Sequence, residues 1–181
     1  TRRSAQEMVS RAEEAMGRGG PRITRVWGGT FHATANRLLR IYAKAVNLSD
    51  DFTVMDRGDS QDLINIIRHD MELHTKEKRF PRKGTCIDIY SRVVNSSDAL
   101  EDVLARHFPW CDAWEDELKQ LFQQYVVRKQ QQNVLDYDDL LLYWEQLVCH
   151  SEVADLIAER FDHILVDEYQ DTNRVQAAIL R

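Results

Sequence analysis

Apolar residues recur at helical spacing along most of the chain. Ala5, Met8, Val9, Ala12 and Met16 follow Ser4 and Glu7, a capping-box pair, and predict a helix over about 5–16. Gly17 to Pro21 breaks that pattern. Ile23 to Trp27 then alternates and predicts a strand closed by Gly28 and Gly29. Thr30, Phe31 and His32 are therefore expected at the end of a strand, ahead of a helix over about 33–46.

From Asn47 to Arg160 the pattern is helical with short breaks. Leu63, Ile66, Ile67 and Met71 share one face; Ile87, Tyr90, Val93 and Val94 share another, after the basic turn Arg79 to Lys83. Ser97 is placed as the cap of the next helix. Trp114, Leu118, Leu121, Phe122 and Tyr125 mark a long amphipathic helix. Asp136 is placed as the cap of one bearing Leu140, Leu141, Trp144, Leu147 and Val148, and Ser151 as the cap of a short one.

The period changes near the C-terminus. His163 to Val166 is a short aliphatic run bounded by acids, the pattern of a strand buried in a parallel sheet. Asp167 and Glu168 then fall at its C-terminal edge, where open α/β sheets bind ligands. The fold class expected is α/β and predominantly helical.

Composition fits a folded domain: 181 residues, 43% hydrophobic and 30% charged, with only three prolines. No stretch approaches the roughly 20 apolar residues of a membrane span, and no signal-peptide pattern opens the chain, so the expected location is cytoplasmic. Cys86, Cys111 and Cys149 lack metal-ligand spacing and read as reduced, buried or semi-buried thiols. The net charge of −6 is uneven: residues 1–40 hold eight Arg against three Glu, leaving +5 there and −11 elsewhere. A basic segment on an acidic body suits a phosphate backbone as well as a solvated surface.

Two acids at a strand end have a chemical logic. Mg²⁺ requires hard oxygen ligands, and a water attacking a phosphate requires an acceptor beside it. Taken alone the pair is weak evidence, because strand ends often carry solvated acids. Its surroundings carry more. Phe161-Asp-His-Ile-Leu-Val-Asp-Glu-Tyr-Gln-Asp-Thr-Asn173 resembles the second helicase motif of the UvrD/Rep-type superfamily-one DNA helicases. Trp27-Gly-Gly-Thr-Phe-His-Ala-Thr-Ala-Asn-Arg-Leu-Leu-Arg40 resembles the family segment that ends a strand with Thr-Phe-His and lines the single-strand path. Thr1 to Met8 is similar to the end of the preceding DNA-contacting motif, and Leu135 to Leu142 to the family's Asp-Phe-Asp-Asp-Leu segment.

The resemblance implies a partial RecA-like P-loop NTPase lobe, from residues 1–32 and 161–181, with an all-helical subdomain inserted over 33–160. It implies Asp167 as the magnesium ligand, Glu168 as the catalytic base and Gln170 as the link between the γ-phosphate and the DNA site, with Asp171 supporting that loop. Thr1, Arg2, Thr30, Phe31 and His32 would meet single-stranded DNA, Phe31 by stacking. The implied cofactors are ATP and Mg²⁺, the implied partners single-stranded DNA and single/double-strand junctions, and the implied polarity 3′ to 5′.

The sequence departs from that picture at one place. No G-x-x-x-x-G-K-[ST] occurs; Gly17-Arg-Gly-Gly20 lacks the Lys and follows a helix. The 181 residues alone are therefore expected to be inactive and to bind no cofactor tightly, as a piece of a longer motor whose open sheet edge invites self-association. Two other readings compete. A RecB/AddA-type helicase-nuclease shares the second motif. A non-catalytic helical module would instead need Trp110, Trp114 and Trp144 to form an exposed apolar patch.

Overall fold

The computed structural model describes residues 27–74 and 79–181, together with residues 7, 10, 11 and 14. The last four are all helical, inside the span predicted from Ser4 and Glu7, and Arg11 pairs with Glu7 one turn away at 2.6 Å.

Helix α1 spans Phe31–Tyr42 and tightens into a 3₁₀ turn over Ala43–Val46. It begins where it does because Thr30 is extended and its Oγ1 accepts from the Ala33 N–H at 3.3 Å, satisfying an otherwise orphaned amide. Thr30 is thus a helix cap and Phe31 and His32 are the first helical turn, not a strand end as the alternation before Gly28 suggested. The strand predicted over Ile23–Trp27 lies outside the described residues except for Trp27, which is not in a strand.

Strand β1 (Thr53–Val54) and strand β2 (Val134–Leu135) form a two-stranded parallel sheet, pairing Thr53 with Val134 and Val54 with Leu135. Each runs straight into a helix through the same device. Asp56 caps α2 (Arg57–Asp70) with Asp59 returning the bond, and Asp136 caps α6 (Tyr137–Cys149) with Asp139 returning it. Between them lie α3 (Lys83–Ser96), α4 (Leu100–His107), a 3₁₀ segment (Pro109–Trp114) and α5 (Glu115–Gln132). After α6 come α7 (Ser151–Ala158), a 3₁₀ turn (Tyr169–Asp171) and α8 (Arg174–Ile179). Ser97 does not cap α4: it is left-handed at φ 57° and ends α3, with Ala99 as the cap residue of α4. Ser151 is likewise the first residue of α7, after His150.

Three apolar cores hold these elements. Ile64 and Ile67 of α2, Ile89 and Tyr90 of α3, Leu104 of α4 and Leu118, Leu121 and Tyr125 of α5 make the first. Ala35, Leu38 and Leu39 of α1 pack with Phe52, Leu140, Leu147 and Ile157 in the second. Leu141 of α6 and Val175 and Ile179 of α8 form the third, with Phe31 and Trp144 against them. Trp110 is exposed, whereas Trp114 and Trp144 pack on different cores, so the tryptophans form no common patch. Cys86 and Cys111 are buried, but Cys149, at the last turn of α6, is exposed.

The largest departure from expectation is at His163–Val166. The segment is not a strand, and among the described residues no sheet lies beneath Asp167 and Glu168; Leu165 is 91% exposed and Ile164 66%. A strand forms only when a neighbouring segment pairs with its backbone, and among the described residues nothing pairs with this one. Its sequence has strand character, and its exposure is that of a strand without partners.

Candidate functional site

A cleft of about 440 Å³ opens between the start of α1 and the segment that precedes α8. Thr30, Phe31 and His32 line it together with Asp167 and Glu168, and Trp144, Ile157 and Ile179 contribute apolar surface. Helix α6 makes this possible: α1 and α8 both pack on it, so segments from opposite ends of the sequence meet across its flank.

On the α1 side each ring has a partner. Phe31 packs against Trp144 at 5.9 Å between ring centroids, tilted by 48°, and is half-buried rather than sealed in a core. His32 meets the Tyr137 ring edge-on at 5.5 Å. Burial holds the His32 pKa below the usual histidine value, with the Asp138 carboxylate opposing the shift, so the ring favours its neutral form. The Trp144 indole N–H is buried and has no partner among the described residues.

On the acidic side the carboxylates are exposed. Asp167 Oδ1 accepts from the Glu168 N–H at 3.0 Å, and the Glu168 carboxylate accepts from the Gln170 side-chain amide. Glu168 is left-handed at φ 51°, a conformation that a residue with a Cβ adopts only where its surroundings hold it there. The turn behind it closes through the Asp171 N–H to the Glu168 carbonyl at 2.9 Å, and the Thr172 hydroxyl to the Tyr169 carbonyl at 2.8 Å. It is the Asp171 backbone, then, that closes the loop. Among the described residues no group of three or more His, Cys, Asp or Glu side chains could hold a metal ion. Asp167 offers a single hard-oxygen ligand, which suits a hydrated Mg²⁺ whose other ligands are waters and phosphate oxygens.

The structure thus brings together five of the predicted site residues, and sets Gln170 on Glu168. Thr1 and Arg2 lie outside the described residues. The basic N-terminal segment is partly committed to structure: Arg40 donates to the carbonyls of Asp50 and Phe52, each at 2.6 Å, and lies over the Phe52 ring, while Arg37 covers Trp27 at 3.7 Å.

Sequence reasoning missed a buried polar centre next to the site. Lys129 of α5 reaches Asp136 and Asp139 at 2.6 Å each and the Tyr90 hydroxyl at 3.2 Å, while the Tyr125 hydroxyl donates to Asp136 at 2.9 Å. Burial opposes the charge on Lys129, but the two carboxylates outweigh it and hold the ammonium above its ordinary range. Burial and the charge of Asp136 push Asp139 up to about 6. The readable signal was the acid pair three residues apart after a short apolar run, which recurs at Asp56 and Asp59 with no lysine set against it among the described residues.

Comparison with known proteins supplies the family. The family model for the UvrD/REP helicase N-terminal domain matches residues 1–181. The ATP-dependent DNA helicase UvrD1 of Mycobacterium leprae is 33% identical over 193 residues, covering all of this chain and 23% of that protein. DNA helicase II of Haemophilus influenzae is 31% identical, over 97% of this chain and 24% of its own length, and DNA helicase II of Escherichia coli is 31% identical over the whole chain and 24% of its own length. The chain therefore spans about a quarter of these relatives. With a whole-length family match and a cleft lined by both of its most distinctive segments, the chain belongs to the UvrD/REP helicase N-terminal domain family.

Proposed function

We propose that this chain is part of the motor of an ATP-driven DNA helicase that translocates 3′ to 5′ on single-stranded DNA in the cytoplasm and opens single/double-strand junctions during repair or replication. Residues 1–32 and 161–181 belong to its RecA-like lobe, and 33–160 to the helical insertion. The observation that carries the reading is the shared cleft, which Thr30, Phe31 and His32 line together with the Asp167–Glu168 pair.

The division of labour follows from the chemistry. Asp167 would hold Mg²⁺, which when bound with ATP would supply neutralisation of the phosphate charge. Glu168 accepts the proton of the attacking water, or orients it, and Gln170, already bonded to that carboxylate, relates its position to the phosphate. Phe31 offers a face for base stacking, worth about 1 to 3 kcal/mol per base and indifferent to sequence. Because residues 1–181 contain no G-x-x-x-x-G-K-[ST] loop, we propose that they do not hydrolyse ATP by themselves.

The test is Glu168→Gln in the full-length protein. DNA-stimulated ATP hydrolysis should fall by roughly 10²-fold or more while single-strand binding persists. Normal turnover in that variant removes Glu168 as the base.

A further inference from the structure

From Asp162 to Asp171 no residue is buried, so the acid-bearing loop has no apolar anchor of its own and its position depends on what fastens its ends. At the N-terminal end Phe161 packs edge-on against Trp27 at 5.1 Å. At the other end the fastening is polar. Asn173 caps α8, and its Oδ1 accepts from the Gln176 N–H at 2.8 Å, which leaves its side-chain amide nitrogen as the outward donor. That nitrogen donates to Asn95 Oδ1 at 2.5 Å.

Asn95, near the C-terminal end of α3, is thereby fixed in orientation. Its own Nδ2 must donate elsewhere, and it does so to Asp138 Oδ1 at 2.7 Å and to the Ser91 carbonyl at 2.7 Å. Asp138 belongs to the first turn of α6, beside the Tyr137 ring on which His32 rests. The charged or titratable groups that act on Asp138 or feel its charge are Asp136 on its own turn, Lys129 of α5, Tyr90 of α3 and His32 of α1. One run of contacts, a ring contact followed by hydrogen bonds, therefore leads from His32 through three helices to the residue that ends the acid loop.

We propose that Asp138, Asn95 and Asn173 form a positioning relay that ties the seating of the Thr30–His32 segment on single-stranded DNA to the placement of the Asp167–Asp171 loop. The inference rests on the reading of that loop as the hydrolytic site. Asp138 and Asn95 are not among the residues that line the cleft; they act through Asn173 on one side and the His32–Tyr137 contact on the other. The direction of every bond is set by the cap on α8, so an acid at position 95 cannot donate to Asp138 and meets it as a like charge.

The experiment uses the full-length protein with Asn95→Asp, Asp138→Asn and the two combined, and compares ATP hydrolysis with and without single-stranded DNA, the KM for ATP and the melting temperature. Asn95→Asp should lower the stimulation by DNA about tenfold, in the range of couplings carried by such networks. Asp138→Asn keeps an acceptor for Asn95 and should cost about threefold or less. In the combined variant the amide now at position 138 donates to the carboxylate now at position 95, and stimulation should return to within about threefold of the parent. Full stimulation in Asn95→Asp overturns the relay. So does a loss that the combined variant fails to reverse, or one that follows melting temperature alone in all three. Glu168→Gln separates the two ideas: if it hydrolyses ATP normally the hydrolytic reading falls, whereas if it is dead and Asn95→Asp is fully stimulated only the relay falls.

Discussion

The Lys129 ammonium and the Asp139 carboxylate meet at 2.6 Å inside the protein, where Lys129 keeps only 2% of its surface. Asp139 also accepts from the Asp136 N–H as the return bond of the α6 capping box, so one carboxylate fixes both a helix start and a buried charge. Removing one partner of such a set leaves the other charge uncompensated. Lys129→Met should therefore destabilise the fold by about 3 to 5 kcal/mol, read as a shift in the urea midpoint. A change below about 1 kcal/mol would mean that water reaches the two acids.

The same cluster sets a pH dependence. Asp139 sits at about 6 in the folded state against an ordinary value of 3.8, so the folded protein holds the extra proton between those values. Stability from this group is full below the lower value and is lost as pH rises through the upper one. The wild type should thus lose stability relative to Asp139→Asn between about pH 4 and pH 6, with the difference flat above that window. Parallel profiles for the two proteins would contradict the assigned shift.

Phe31 and His32 give separable outcomes. Phe31→Leu keeps an apolar group against Trp144 and removes the stacking face. Single-strand affinity of the full-length protein should fall by about tenfold, within the range for one base, and its melting temperature should change little. For His32, an NMR titration should find a midpoint below the ordinary 6.5, and Asp138→Asn should move it lower still, since that carboxylate favours the charged ring. Movement upward would reverse the assigned roles.

Glu168 is held at φ 51° with a side chain that nothing buries. Glu168→Gly should leave unfolding free energy unchanged or raise it by up to about 1 kcal/mol, while abolishing ATP turnover in the full-length protein. Stability lost along with turnover would show that the carboxylate supports the loop and not only the reaction.

What the sequence revealed depended on the range of the forces involved. The amphipathic faces of α3, α5 and α6 were readable because helix formation and side-chain spacing are local, and the Asp136 cap was readable for the same reason; that of α2 was readable only in part, since Ile66, placed on it, is exposed and Ile64 is buried. The acid motif at 167–171 was readable as a string of residue types. Its supporting strand was not realised, because a strand is a property of pairs of segments and His163–Val166 has no neighbour among the described residues. The β1–β2 pair was invisible from the opposite side: two residues carry no periodicity, and their partner lies far along the chain. Lys129 was hidden because a lysine within a polar helix reads as solvent-facing, and only the arrival of Asp136 and Asp139 over it makes burial tolerable.

Helix α6 packs against both α1 and α8 and contributes to the second and third cores while its first turn holds the buried charges, so neither of those cores can loosen without disturbing it. A helix shared in this way acts as a common keel. Its amides should be among the last to exchange with deuterium, opening only when the whole assembly does, and a motion begun at the cleft would reach the α5 side through a rigid rod rather than by melting anything between.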